Sequence, residues 1–278
     1  AWTGDGSGYQ VAKTQPMKLA AMEGYYEGRE GAGLVAVGLL NPDKEKYNDG
    51  KDPFIFRVEI PQMLSLLAKR ELNAFVPGVK DIIEGGYVQK DGTVALSAAE
   101  KIERGKKAIA ALASYRSAKK EGNTATADSA YVTLQENMAY FGYGYIKDVH
   151  HLVPNVPITF YAFRIMVMLG FYFILFFAVV LFLVYKDKLA EMKWMHWIAL
   201  LTIPLGYIAA EAGWVVAECG RQPWAIQDLL PTAVSVSRVS VGSVQLTFYI
   251  FLVLFTVMLI AEVGIMLREI KKGPDLNK

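Results

Sequence analysis

Three stretches of the chain are almost unbroken runs of apolar side chains. "ITFYAFRIMVMLGFYFILFFAVVLFLVY" covers Ile158 to Tyr185, a second run extends from Trp194 to Glu218, and "QLTFYIFLVLFTVMLIAEVGIML" covers Gln245 to Leu267. About 20 apolar residues in helical conformation cross a hydrocarbon core, so each run is expected to be a transmembrane helix. Aromatic residues gather near the ends of the runs, where bilayer interfaces favour them. Before residue 157 the pattern changes. "IPQMLSLLAKREL" has apolar positions at helical spacing. "SAAEKIERGKKAIAALASYRSAKKEG" opens with Ser97 and carries Glu100 three residues later, a capping box, and stops near Gly122. "ADSAYVTLQENMAYFGYGYIKD" is a third helical candidate. Gly, Asp and Pro-rich segments such as "NPDKEKYNDGKDP" read as loops. The opening "AWTGDGSGYQV" reads as chain leaving the end of a helix that lies upstream or on another chain. The expected fold is an all-α membrane protein: a mainly helical region over 1–156, then a three-helix transmembrane region over 157–278 with spans at about 158–185, 194–218 and 245–267.

Charge sets a direction for these spans. The connection "KDKLAEMK" carries Lys186, Lys188 and Lys193, and the C-terminal tail carries Arg268, Lys271, Lys272 and Lys278, whereas the connection between the second and third spans holds only Arg221 and Arg238. The positive-inside rule places the first connection and the tail in the cytoplasm. Residues 1–156 and the 219–244 connection are then outside. Composition narrows the class further. The 278 residues are 53% hydrophobic with a formal net charge of only +2, which argues against a nucleic-acid partner. Cys219 is the single cysteine, so no intramolecular disulfide or cysteine zinc cluster is available; it reads as a neutral packing thiol. Cys-x-x-Cys-His, P-loop, dinucleotide-binding and nucleophile-elbow motifs are absent.

The chemistry-bearing residues lie in the apolar runs. Glu211, Trp214 and Glu218 fall on one stripe of the second span at 100° per residue, and Arg221 lies near that stripe just past its end. Acids inside a span are costly and point to function: a metal or haem ligand, a proton relay or an ion pair. Glu211 sits about 10 Å deeper than Glu218 by helical rise. In the first span, Arg164 is one to two turns inside and wants a carboxylate or phosphate-like partner. Met166 points about 200° away from it, either packing or serving as a thioether haem ligand. Glu262 in the third span is either part of a proton route or an interfacial acid. His150 and His151 precede the first span and His196 opens the second; neighbouring histidines alone rarely form a metal site. In "KLAAMEGYYEG", Lys18 and Glu23 are five residues apart. They read as two solvated charges or, at the outer membrane face, as a pair that binds and deprotonates a quinol.

Three segments, "GDGSGYQVAKTQPMKLAAMEGYYEG", "FYAFRIMVMLG" and "GWVVAECGRQPWAIQDLLPTAV", resemble subunit I of the cytochrome bd quinol oxidases in content and in order. "IPQMLSLLAKRELNAFVPGVKDI" and "EKIERGKKAIAALASYR" resemble the long form of that family's quinol loop. The resemblance covers essentially this whole chain but only the C-terminal part of a subunit I. It implies that Lys18 and Glu23 act in quinol oxidation. It implies that Met166 is an axial ligand of a low-spin haem b and that Arg164 meets a haem propionate. Glu218 becomes the carboxylate ligand at the paired high-spin haems b and d, with Arg221 on propionates and Trp214 and Glu211 beside them. The implied setting is a bacterial or archaeal cytoplasmic (inner) membrane. The family's histidine ligands and proton-entry acids lie in earlier spans, so the chain is expected to be a cut or naturally split subunit. Its expected partners are a chain carrying those spans, subunit II and small subunits, together with membrane lipid and quinone. The alternatives are a haem-binding electron-transfer subunit without oxygen reduction, and a non-catalytic assembly subunit.

Overall fold

The computed structural model describes residues 2–89 and 91–273; Lys278 of the basic tail lies outside the described residues. The described chain falls into two compact units, Ala1–Ser235 and Val236–Lys278.

The larger unit begins with helices, α1 (Trp2–Thr14) and α2 (Pro16–Glu23). The segment expected to be leaving a helix is itself helical over its described residues, Trp2 to Val11. Pro16 opens α2, where its missing N–H is harmless, and Gly24 closes the helix at φ +63°. There follow β1 (Arg29–Glu30), β2 (Leu34–Leu40), β3 (Phe54–Ile60), α3 (Met63–Lys69), β4 (Phe75–Val76) and α4 (Val79–Glu84). β1 pairs with β4, and β2 with β3, all antiparallel. The hairpin corrects the purely helix-and-loop expectation for this stretch. β2 and β3 pair from Leu34↔Ile60 to Leu40↔Phe54 with two register shifts, and both are rich in β-branched and aromatic side chains that fit a pleated surface. "NPDKEKYNDGKDP" is the connection between them. The Asp49 carboxylate orders it by accepting from Lys44 Nζ at 2.8 Å and from the Lys46 and Lys51 amides. The helix expected over "IPQMLSLLAKREL" is correspondingly short, because Ile60 still belongs to β3.

α5 (Ala98–Glu121) is capped as its sequence predicts. The Glu100 amide donates to Ser97 Oγ at 3.2 Å and the Ser97 amide donates to Glu100 Oε2 at 2.8 Å. α6 (Thr124–Asn137) packs back on α5 and continues as 3-10 turns over Met138–Tyr145. The 3-10 segment lies so close to α5 that Gly105 and Gly144 meet backbone to backbone; a Cβ at either would overlap the other's main chain.

Two long helices complete the unit, α7 (Val156–Tyr185) and α8 (Lys193–Cys219). Asn155 caps α7 through the Ile158 amide at 3.1 Å. α7 packs along α8, with Tyr172 and Thr202 hydroxyls 2.5 Å apart between them. Beyond α8 a small ribbon forms from β5 (Trp224–Ile226) and β6 (Leu230–Pro231). Two of the buried clusters bind the region before α7 to this frame. One joins Val35, Leu40 and Phe54 of the hairpin to Val156 and Phe160 of α7. The other joins Ala20, Ile82, Ile83 and Ile102 to Trp224, which comes from beyond α8.

The smaller unit is one helix, α9 (Val241–Lys272), capped by Ser240 through the Ser243 amide at 3.3 Å. α7, α8 and α9 are all long and apolar enough to cross a membrane. The protein is an all-α membrane protein with three such helices, the strands being short two-stranded ribbons.

Candidate functional site

The site lies where α2 meets α7 and the C-terminal end of α8. Lys18 and Glu23 are about 140° apart around α2 and reach different helices. Glu23 faces α7, and Arg164 Nη2 donates to its Oε2 at 2.6 Å. Both are buried, Glu23 at 1% exposure. Removal from water pushes the Glu23 carboxyl above its ordinary value, against the opposing pull of the Arg164 charge and hydrogen bond. The guanidinium also lies over the Phe160 and Phe163 rings, at 4.7 and 5.1 Å. The bare chemistry of Arg164 asks for a carboxylate or a phosphate-like anion, and within this chain Glu23 supplies it.

Lys18 faces α8. Its Nζ donates to the Ala217 carbonyl at 3.3 Å. Partial burial lowers the ammonium's pKa, Arg221 adds to that, and Glu218 opposes both. Arg221 Nη2 donates to Glu218 Oε2 at 2.6 Å. The three helices converge at Gly220, where an added Cβ would stand 3.0 Å from Lys18 Cγ and 3.1 Å from Thr159 Cγ2. Two helical turns back along α8, Gly213 faces Met166: a Cβ there would stand 3.1 Å from the sulfur. Arg164 thus points from α7 to α2 while Met166 points to α8, as their spacing predicts.

Glu211 and Trp214 are not drawn into this cluster. Both are exposed on α8, Trp214 at 63%, so of the predicted stripe only Glu218 reaches it, through Arg221. The His150 ring packs against Tyr47 at 5.2 Å, and His196 lies in the first turn of α8. Glu262 is on α9. Among the described residues no three His, Cys, Asp or Glu side chains gather as a metal site. Within this cluster two buried donors are left over: the Nε atoms of Arg164 and Arg221 have no hydrogen-bond partner.

Comparison with known proteins decides the family. The model of the family "Cytochrome bd terminal oxidase subunit I" matches residues 1–274. The chain belongs to the cytochrome bd oxidase subunit I family. It is similar to the cytochrome bd-II ubiquinol oxidase subunit 1 of Escherichia coli (strain K12), 32% identical over 274 residues that make up 98% of this chain and 52% of the relative. It is also similar to the cytochrome bd ubiquinol oxidase subunit 1 of Bacillus subtilis (strain 168), 28% identical over 95% of this chain and 43% of the relative. Among solved structures, bd oxidase from Geobacillus thermodenitrificans superposes with a TM-score of 0.58 at 25% identity, covering 98% of this chain and 46% of that one. The chain therefore spans about half the length of these bd oxidase relatives.

A second set of interactions was not anticipated from the sequence. The Tyr143 hydroxyl donates to Asp228 Oδ1 at 2.6 Å across 85 positions, and its ring meets Trp224 edge-on at 4.9 Å. Only a chain-distant pairing of "GYGY" with "WAIQD" would have revealed it, and neither segment marks the other.

Proposed function

We propose that the chain is the C-terminal part of a bd-type oxidase subunit I that oxidises quinol at the outer membrane face and passes the electrons to oxygen through haems. The observation that supports this most directly is the junction itself. Two charged residues from the outer region meet the only arginine of α7 and the acid and arginine at the end of α8. The unpartnered Nε atoms of Arg164 and Arg221 suit anionic groups such as porphyrin propionates. The glycine under Met166 Sδ leaves room that a side chain would fill. The chain offers one thioether and one carboxylate that could serve as iron ligands, with no histidine among these cluster residues, which suits a partner that brings the other ligands.

In this reading Met166 would hold the iron of a low-spin haem b and Glu218 that of a high-spin haem, b or d. Arg164 and Arg221 hold propionates, and Trp214 and Glu211 present the open face of α8 to the same cofactors and to the chain carrying the earlier spans. The haems, when bound, supply electron transfer and the redox centre for oxygen reduction. Lys18 orients the quinol head, its lowered affinity for a proton making it a readier hydrogen-bonding group. Glu23 takes a quinol proton on its carboxylate; burial pushes that carboxyl above its ordinary value, which favours holding a proton there. Arg164 keeps that carboxylate in place at Oε2. The outer region faces away from the cytoplasm, the tail faces it, and the membrane is the cytoplasmic one. Subunit II and small subunits complete the complex.

The deciding experiment is a reduced-minus-oxidised optical spectrum, with haem extraction, on the complex purified through this chain, together with quinol-driven oxygen uptake. Red-shifted d-type absorption beside b-type bands, with oxygen uptake, is the expected result. b-type bands alone, without oxygen uptake, would assign the chain to electron transfer. A complex with its partner spans but without haem would leave only an assembly role.

A further inference from the structure

The clamp around Asp228 has no part in the chemistry described above, yet it ties two chain-distant segments together through a part-buried carboxylate. Asp228 is one of few non-glycine residues with left-handed backbone, φ +60°. Such a conformation persists in a non-glycine residue when its surroundings impose it. Three bonds do so here. The Asp228 carboxylate accepts from Tyr143 Oη at 2.6 Å and from Gln227 Nε2 at 3.0 Å, and its carbonyl accepts from the Gly142 amide at 3.2 Å. Gly142 is obligatory for the last, since a Cβ there would run into the Asp228–Leu229 backbone. Burial and the neighbouring carboxylate push the Tyr143 hydroxyl far above its ordinary value, so it remains a donor at any physiological pH. Lys101 completes the surround, its ammonium over the Tyr143 ring at 5.7 Å and drawn to the Asp228 charge.

The clamp's position gives it a consequence. Asp228 lies seven residues after Arg221, on the segment that leaves α8. Trp224, midway between them, is buried against Tyr143 and in the same cluster as Ala20 of α2, two residues from Lys18. A cavity of about 190 Å³ lies between the clamp and α2, lined by Met17, Lys101, Tyr143, Trp224 and Asp228 among others. α2 and the post-α8 segment therefore share one buried cluster that includes Ala20 and Trp224, while Lys18 bonds the end of α8 at Ala217.

We infer that Asp228 and Tyr143 are positioning residues: their hydrogen bond locks the segment after α8 against the quinol loop, and through Trp224 it fixes Lys18 of α2 relative to the α8 end. This rests on the proposed function for its kinetic readout, but not for its structural one. The bond is the side-chain link between the two segments, beside the Gly142 amide bond to the Asp228 carbonyl and the Tyr143–Trp224 ring contact. Tyr143→Phe removes only the donor. Asp228→Gly removes the acceptor while relieving the backbone. Asp228→Asn keeps an acceptor and tolerates the left-handed conformation.

The test uses the full haem-loaded complex. Tyr143→Phe and Asp228→Gly are expected to raise the KM for quinol by about tenfold, the scale of a lost charge-assisted hydrogen bond. kcat and oxygen uptake driven by an artificial donor that bypasses quinol are expected to stay near native, and Asp228→Asn to keep the KM within about twofold of native. Hydrogen exchange is expected to rise at residues 15–24 in both disruptive variants. An unchanged KM with unchanged exchange at 15–24 would overturn the inference. So would an equal loss of quinol-driven and artificial-donor rates, which marks general damage. If the native complex does not oxidise quinol, the functional reading fails, and the exchange at 15–24 still decides the clamp on its own.

Discussion

Two ion pairs of this chain have the same N–O separation, 2.6 Å, and opposite surroundings. Glu23–Arg164 joins α2 to α7 across 141 positions, with side chains 2% and 10% exposed. Glu218–Arg221 joins neighbouring turns at the end of α8, with side chains 41% and 35% exposed. Distance alone would make them equivalent. In the buried pair the charges have been stripped of water, so each depends on the other: removing one leaves an uncompensated charge in a poor solvent. In the half-exposed pair water screens both partners, and the link adds little to stability. The first pair is thus suited to holding two parts of the molecule together. The second is suited to exchange, releasing a carboxylate and a guanidinium to an incoming group at little energetic cost.

The sharpest way to break this contrast is to remove one partner of each pair. Arg164→Ala, which strands the Glu23 carboxylate, is expected to destabilise the complex by about 3–5 kcal/mol, read as a drop in thermal unfolding temperature. The double replacement Glu23→Leu with Arg164→Leu is expected to recover much of that loss. A single variant as stable as native would make the two pairs equivalent after all. The next effect is in pH. The Glu23 carboxyl sits above its ordinary 4.5 in the folded protein. The folded state therefore holds a proton that the unfolded chain releases. That contribution is complete below pH 4.5 and is lost as pH rises through the elevated folded value, with a slope of at most about 1.4 kcal/mol per pH unit. Melting temperatures against pH should show this decline in the native complex and a flatter profile in Glu23→Gln.

Arg221→Ala should behave in the reverse sense. Stability should change by less than about 1 kcal/mol after allowance for solvent screening, while haem recovered per complex falls measurably. A large loss of stability with full haem content would contradict the role given to the exposed pair. The smallest effect concerns Gly213→Ala. Its Cβ would press on the flexible end of Met166 at 3.1 Å, so melting should be nearly unchanged while the low-spin b-type absorption shifts. An unshifted band would separate Met166 from the iron.

The pairs also show what could be read from the sequence. The apolar runs and the α5 capping box are signalled locally, by composition and by a four-residue spacing; the runs lie within the helices α7, α8 and α9, and the box caps α5. Arg164 advertised its need for an anion, but nothing local could say that Glu23 would meet it, because the match is made by the packing of α2 on α7. The β2–β3 hairpin escaped because β2 is apolar on both faces, so period-two alternation is faint, and because "IPQML" extends helical spacing back into the end of β3. Left-handed Asp228 and its tyrosine escaped because neither residue is unusual until the other stands beside it.

Trp224 sets an order of events in biosynthesis. It is buried in the same cluster as Ala20, Ile82 and Ile102, yet it is made more than a hundred residues after them and only once α7 and α8 have been synthesised. The cluster around α2, α4 and α5 thus waits, incomplete, through the making of both helices. It can close only when the ribosome has delivered the far end of α8, so the region before α7 completes its core after the chain of both following helices has been made.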